Sequence, residues 1–412
     1  MSAASGNSDS LLRHRSFVAF WIARAASSFG FQMLSIVVSW QIYSITGRAF
    51  DLGLIGLVQF LPSVALALVA GHVADQFDRR RVVLLGQIAE WVAIGSLAYL
   101  TLTHHVNEVV VLGLIFMIST AKAMEAPSLQ SMLPALVPPN LLARAMAATS
   151  VSGQAASMVG PALGGFLYVA GAGVAYAVCA CLYLLSIVMV SRLRYEQAQP
   201  HRVPATFKTL FAGIGFIRAR PDVLGVISLD LFAVLLGGAT ALLPIFAHDI
   251  LHTGPWGLGL LRGAPAVGGL IVGFWLSHRA LNRNVGKIMF AAVAGFGAAT
   301  LVFAFSTSLW LSMLALFALG GFDMISMVIR GALVQLDTPD DMRGRVSAVN
   351  SIFINTSNQL GEFESGLLAA WVGAVPAAAI GGVGTLIVVG LWMTWFPGLR
   401  KRQKLENEVV EA

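Results

Sequence analysis

Long apolar runs separated by short polar connectors repeat along nearly the whole chain. Each run is about the 20 residues that a helix needs to cross a bilayer core. Turn residues and charges place the first six near 17–43, 51–73, 82–103, 108–129, 143–170 and 172–193. The second six fall near 222–247, 257–278, 286–306, 309–331, 344–371 and 374–396. The runs lack the two-residue alternation of a membrane barrel. The pattern therefore predicts an all-α polytopic membrane protein: twelve transmembrane helices in two pseudo-symmetric six-helix bundles, 17–193 and 222–396.

The flanking pieces are polar. Residues 1–16 and 397–412 form tails, and 194–221 forms a linker. In that linker Phe207, Phe211, Ile214 and Ile217 recur at helical spacing beside Lys208, Arg218 and Arg220. This suits an amphipathic helix on the membrane surface or a plain connector between halves. Lys and Arg cluster in both tails, the linker and the turns at 74–81 and 279–287. The positive-inside rule then places both termini in the cytoplasm, with the chain multi-pass in a bacterial inner membrane. An internal repeat supports two halves. "LQSMLPALVPPNLLARAMA" from Leu129 aligns with "IRGALVQLDTPDDMRGRVSA" from Ile329 at an offset of 200 residues.

Composition agrees: 57% of residues are hydrophobic, 11% are charged, and the mean hydropathy is +0.79. The net charge of +6 sits in connectors, so it argues for topology and not for a nucleic-acid partner. Cys179 and Cys181, two apart in one run, have neither metal nor redox spacing. His104 and His105 lack a third ligand nearby, so no metal is expected. No Walker loop appears, and the intramembrane serines have no adjacent histidine, so neither an ATP-driven pump nor a hydrolase is expected.

Two motifs carry more. The charged turn "GHVADQFDRRR" from Gly71 resembles the signature between the second and third helices of the major facilitator superfamily, roughly G-x-L-A-D-R-x-G-R-[KR]. Gly71, Ala74, Asp75, Arg79 and Arg80 match it, while Gln76 and Asp78 depart from it. In the fifth helix "ASMVGPALGG" resembles the antiporter motif of that superfamily through Gly160, Pro161, Gly164 and Gly165, with Ala156 at its first glycine position. Small residues there let a neighbouring backbone approach closely. Over nearly its full length the chain is similar to the enterobactin-exporter group. The resemblance implies a proton-coupled exporter of amphiphiles such as siderophores or drugs, acting as a monomer without cofactor by rocking its halves. An importer or uniporter is the alternative within transporters, and a non-transporting receptor or scaffold the alternative outside them.

Ionisable groups inside spans cost at least ~2.5 kcal/mol at the helix centre and mark candidate sites. They are Arg24, Glu90, Lys122, Glu125, Asp230, Arg262, Asp323, Glu362 and Glu364. Ser351, Asn355, Asn358, Gln359 and Glu362 share one stripe of the eleventh helix. The resemblance places Arg24, Glu125, Asp230 and Asp323 on the helices that line the central cavity. Asp230 has no basic residue within a turn of its own helix and is the first candidate for a proton carrier. An ion pair with Arg24 or Arg262 is the competing reading. Glu125 is the second candidate, unless it only neutralises Lys122 three residues away. Glu90 reads as peripheral. Asp51 reads as an N-cap. The resemblance also implies that Asp75 meets the inner end of the eleventh helix, near Arg343 and Arg345, as half of a gate.

Overall fold

A backbone in hydrocarbon must satisfy its own hydrogen bonds, and the helix is the local way to do so. The apolar runs obey this in the computed structural model, which describes residues 11–193, 207–279 and 283–405, apart from the side chains of Ala67, Leu68, His72, Asp75, 207–211, Asp340 and Asp341. The first half comprises α1 (Arg15–Thr46), α2 (Ala49–Ala65), α3 (Ala67–Gln76), α4 (Arg79–Leu102), α5 (Glu108–Met132), α6 (Leu142–Val169) and α7 (Ala172–Ser191). After α8 (Phe207–Ala219) come α9 (Pro221–Leu236), the single turn α10 (Leu243–Ile245), α11 (Gly254–His278) and α12 (Val285–Ala304). The chain continues with α13 (Leu309–Leu336), α14 (Asp340–Val372), α15 (Ala374–Trp395) and the short α16 (Pro397–Lys401).

Among the described residues nine segments are long and apolar enough to cross a membrane. The other three expected spans are helical but differ instructively. The second is interrupted at Leu66, giving α2 and α3. The fifth and eleventh, α6 and α14, carry too many polar positions to qualify. The reason is packing: α2 lies against α14 and α6 against α11, so these helices bury faces on the opposite half. The seventh expected span, 222–247, is likewise not one helix. It stops at Gly237, and 3-10, α and π turns continue it to Ile250.

Local signals set several ends. Asp78 caps α4, its Oδ1 accepting the backbone N–H groups of Arg80 and Arg81 at 2.9 and 3.3 Å. Asn107 does the same for α5 through Val110 at 2.9 Å. Gly47, at φ 62°, closes α1 in the left-handed conformation that glycine adopts without strain. Asp51 is not the N-cap expected. It lies buried in the first turn of α2, paired with Arg48 at 2.8 Å, and Arg48 also reaches Glu108 at 2.5 Å. The linker helix α8 packs on the second half instead of standing alone. Ile217 is buried, and a methyl group at Gly213 would sit 3.0 Å from the Arg345 carbonyl oxygen.

Two glycine seams join the halves, both toward the end of the molecule away from the chain termini. Across α2 and α14, a methyl at Gly53 would lie 2.9 Å from the Phe363 carbonyl oxygen. Across α6 and α11, one at Gly165 would lie 2.5 Å from the Pro255 carbonyl oxygen. At the same end the Tyr43 hydroxyl donates to Asp249, and the rings of Trp40 and Tyr43 lie 5.6 and 5.7 Å from that of His248. At the terminal-side end, by contrast, a side chain at Gly71, Gly153 or Gly344 would meet nothing within 4 Å among the described residues.

Overpacking a close helix crossing costs about 1–3 kcal/mol. Gly53→Leu is therefore expected to depopulate this far-end-closed arrangement. A cysteine at Ser63 should then gain labelling by an impermeant maleimide added from the far side. Unchanged labelling together with an unchanged melting temperature would refute the seam's role.

Candidate functional site

The polar stripe of α14 divides the waist of the molecule into two cavities. Asn355 and Gln359 face one of about 470 Å³, which Phe31, Gln59, Lys122 and Pro127 also line. Asn358 and Glu362, one helical step round, face another of about 290 Å³ with Gln154, Thr240 and Asp323. One helix thus presents amide and carboxylate groups to both halves, as a span does when its polar face looks into a water-filled space.

In the second half Asp230 of α9 is paired with Arg330 of α13. Arg330 also approaches Asp323, two turns earlier on its own helix, at 3.9 Å. A small cavity of about 90 Å³ beside them is lined by Asp230, Arg330 and Asn350. The absence of a basic neighbour along its own helix holds for Asp230, but another helix supplies the partner, and it is neither Arg24 nor Arg262. Arg330 escaped the sequence reading because it stands at the edge of its expected span, where arginines anchor helices to the interface. Its seven-residue spacing from Asp323, which puts both on one face, was the available signal. Arg262 instead meets Glu362 at 3.6 Å and donates to the Thr240 carbonyl at 2.9 Å. Arg24 is partly buried and forms no ion pair among the described residues.

The first half is arranged differently. The Lys122 ammonium lies over the Phe31 ring, 2.8 Å from its centroid, and forms no direct ion pair with Glu125. Cation–π contact with an aromatic face gives a half-buried ammonium an electrostatic partner. Glu125 is 5% exposed, and its Oε2 has no hydrogen-bond partner among the described residues. Glu90 of α4, expected to be peripheral, is fully buried with both carboxylate oxygens unpartnered. Gly86, one turn before Glu90, makes room: a methyl there would sit 3.1 Å from the Glu125 Cβ.

The charged turn is built into the first half. Arg79 donates to the Ala74 carbonyl at 3.3 Å and to that of Ser131, at the end of α5, at 3.4 Å. Arg80 donates to the carbonyls of Val190, at 3.1 Å, and Ser191 at the end of α7. Guanidinium groups here satisfy the last carbonyls of helices and meet the negative end of their dipoles. Arg343 repeats the device in the second half, donating to the Gln335 carbonyl of α13 at 3.2 Å, and Arg345 reaches the Met342 sulfur at 3.3 Å. Asp75 belongs to α3, but its side chain, and with it the expected gate contact, lies outside the described residues. In α6, methyl groups at Gly160, Gly164 and Gly165 would lie 2.7 Å from the Gln32 Cβ, 2.8 Å from the Met33 carbonyl oxygen and 2.5 Å from that of Pro255. With Pro161 buried between them, this motif packs α6 against α1 and against the opposite half.

Two helical halves around a polar waist define a membrane transporter of the major facilitator superfamily. Along residues 7–410 the chain matches the transmembrane secretion effector family, and it belongs to that family. Among its relatives are enterobactin exporters EntS. The Salmonella typhimurium protein is 27% identical, covering 98% of this chain and 97% of its own. The Citrobacter koseri protein is 25% identical, covering 95% and 94%. Solved structures share the fold. A bacterial homologue of the human lysosomal transporter Spinster, inward-facing and occupied, aligns with a TM-score of 0.70 at 14% identity over 95% of this chain and 97% of its own. The nucleoside transporter NupG aligns with a TM-score of 0.68 at 14% identity over 92% and 99%.

Removing one partner of a buried ion pair costs about 3–5 kcal/mol, because the other charge is stranded. Arg330→Ala should therefore lower the melting temperature in detergent more than the double variant Arg330→Ala/Asp230→Asn. The reverse order would show that the pair is not what holds Asp230.

Proposed function

We propose that the chain is an exporter of amphiphilic small molecules, siderophores among them, that exchanges substrate for protons by alternating access of its two halves. The observation that carries this reading is the asymmetry of closure. Glycine seams and the Tyr43–Asp249 bond seal one end, while the waist cavities lie toward the other. With the termini and the basic connectors in the cytoplasm, this is the state that loads substrate from inside a bacterial inner membrane. The family and the EntS relatives support export, and the antiporter-type motif of α6 lies at a seam where the halves would pivot.

Coupling requires that proton and substrate favour different states. We assign the proton to Glu125 and Asp230. Glu125 lacks a direct counter-charge, whereas Asp230 exchanges its proton only when Arg330 moves away. Arg24, Lys122, Asp323, Asn355, Gln359 and Glu362 form the walls that meet substrate. Asp75, with Arg343 and Arg345, closes the cytoplasmic end in the opposite state. The protein needs no cofactor and works as a monomer.

Inverted vesicles acidified inside, then challenged with a panel of siderophores and drugs, test this directly. A substrate in the panel should dissipate the pH gradient, and Glu125→Gln and Asp230→Asn should each abolish that response while leaving substrate binding. No response across a broad panel would reject antiport. Asp75→Asn should slow turnover with little change in substrate affinity; wild-type turnover would remove Asp75 from the gate.

A further inference from the structure

We infer that Glu90 and Glu125 form a single proton-binding site in which two carboxyl groups share one proton against the charge of Lys122. The inference deepens the proton-coupled reading and rests on it only for its role in transport; the site itself stands on geometry.

Both carboxylates are sequestered. Glu90 is fully buried, Glu125 is 5% exposed, and three of their four oxygens have no hydrogen-bond donor among the described residues. An ionised carboxylate left in that condition is among the most costly groups a protein interior can hold. The two approach each other because Gly86 brings α4 onto α5 beside Glu125, and Glu90 follows one turn later on the same face. Lys122 precedes Glu125 by one turn on the same face of α5, and among the described residues the buried Tyr183 of α7 is a further titratable group near them. As a phenol it adds no cation to offset the two acids.

Charge counting then decides the protonation state. Two carboxylates and one ammonium carry one excess negative charge, and Lys122, held over Phe31, neutralises only one of them. In a water-poor interior the excess charge is removed by taking up one proton, and like charges sharing a site hold that proton jointly. Release is a plain proton transfer. The O–H bond of the protonated carboxyl breaks, its electron pair stays on the carboxylate, and water takes the proton. Gln87, one turn before Glu90 on α4, and Ser128, one turn after Glu125 on α5, carry a buried unpartnered Nε2 and Oγ that can hold the water that receives it.

The arrangement separates the proton from the substrate. Lys122 lines the larger cavity, but the two carboxylates stand behind it, between α4 and α5. It also gives Glu90 and Glu125 equal standing. Replacing either by glutamine leaves one carboxylate against one ammonium, a neutral pair with no reason to hold an extra proton.

Dicyclohexylcarbodiimide, which modifies protonated carboxyl groups in apolar surroundings, tests this on the full-length purified protein without any substrate. Peptide mass spectrometry of the wild type should find modification at Glu90 or Glu125 at neutral pH. In Glu90→Gln or Glu125→Gln the remaining carboxyl should be modified roughly tenfold less, because a lone carboxylate beside the ammonium no longer holds the proton. Lys122→Gln should have the opposite effect, with both carboxyl groups modified and the reaction persisting to higher pH. That third variant keeps the test decisive if a glutamine variant fails to fold. Absence of modification in the wild type, or undiminished modification of the remaining carboxyl, would overturn the shared site. If modification follows the prediction but the vesicle assay shows no antiport, the functional reading fails and the site stands.

Discussion

Charge placed away from water must find a counter-charge or a proton, and the interior of this protein is organised around that requirement. Asp230 and Asp323 gather at Arg330, Glu362 at Arg262, and Glu90 and Glu125 around Lys122. The helices bring these groups together across element boundaries, so each cluster depends on helix packing as much as on its own residues. An apolar bundle of the same shape would need none of them. Burying ions carries a cost, so their presence marks these clusters as candidate sites and not as ordinary packing.

The two halves solve the problem differently. In the second, guanidinium groups meet carboxylates directly. In the first, the ammonium is drawn aside onto an aromatic ring and the carboxylates are left to each other. The clustered carboxylates of the second half thus have a cation in contact, whereas Glu90 and Glu125 of the first half have none among the described residues. The asymmetry lies on a scaffold that is otherwise repeated, down to paired glycine seams and arginines that cap the ends of neighbouring helices.

Most of the architecture was legible in the sequence because hydrophobic length and helical spacing are local properties. The exceptions are where tertiary contact overrides local pattern. The break at Gly237 follows from the neighbour it crosses: a methyl at Gly238 would stand 2.5 Å from the Gly361 carbonyl oxygen. The close approaches of Gly160, Gly164 and Gly165 were readable, since a small-residue motif announces them. Arg330 was not, because its importance comes from Asp230 a hundred residues earlier. Glu90 was missed for a related reason. Its neighbours in sequence are ordinary, and only the packing of α4 on α5 shows that it is sealed in beside a second acid.

The anchoring of α8 sets the reach of the covalent tie between the halves. Because Gly213 and Ile217 fix that helix to α14 and its neighbours, only the stretch from Leu193 to Phe207 spans from one half to the other. Fourteen peptide units extend at most about 50 Å. Covalent connection over that length imposes no close contact between the halves, so it is the glycine crossings and the Tyr43–Asp249 bond that hold them together at the far end.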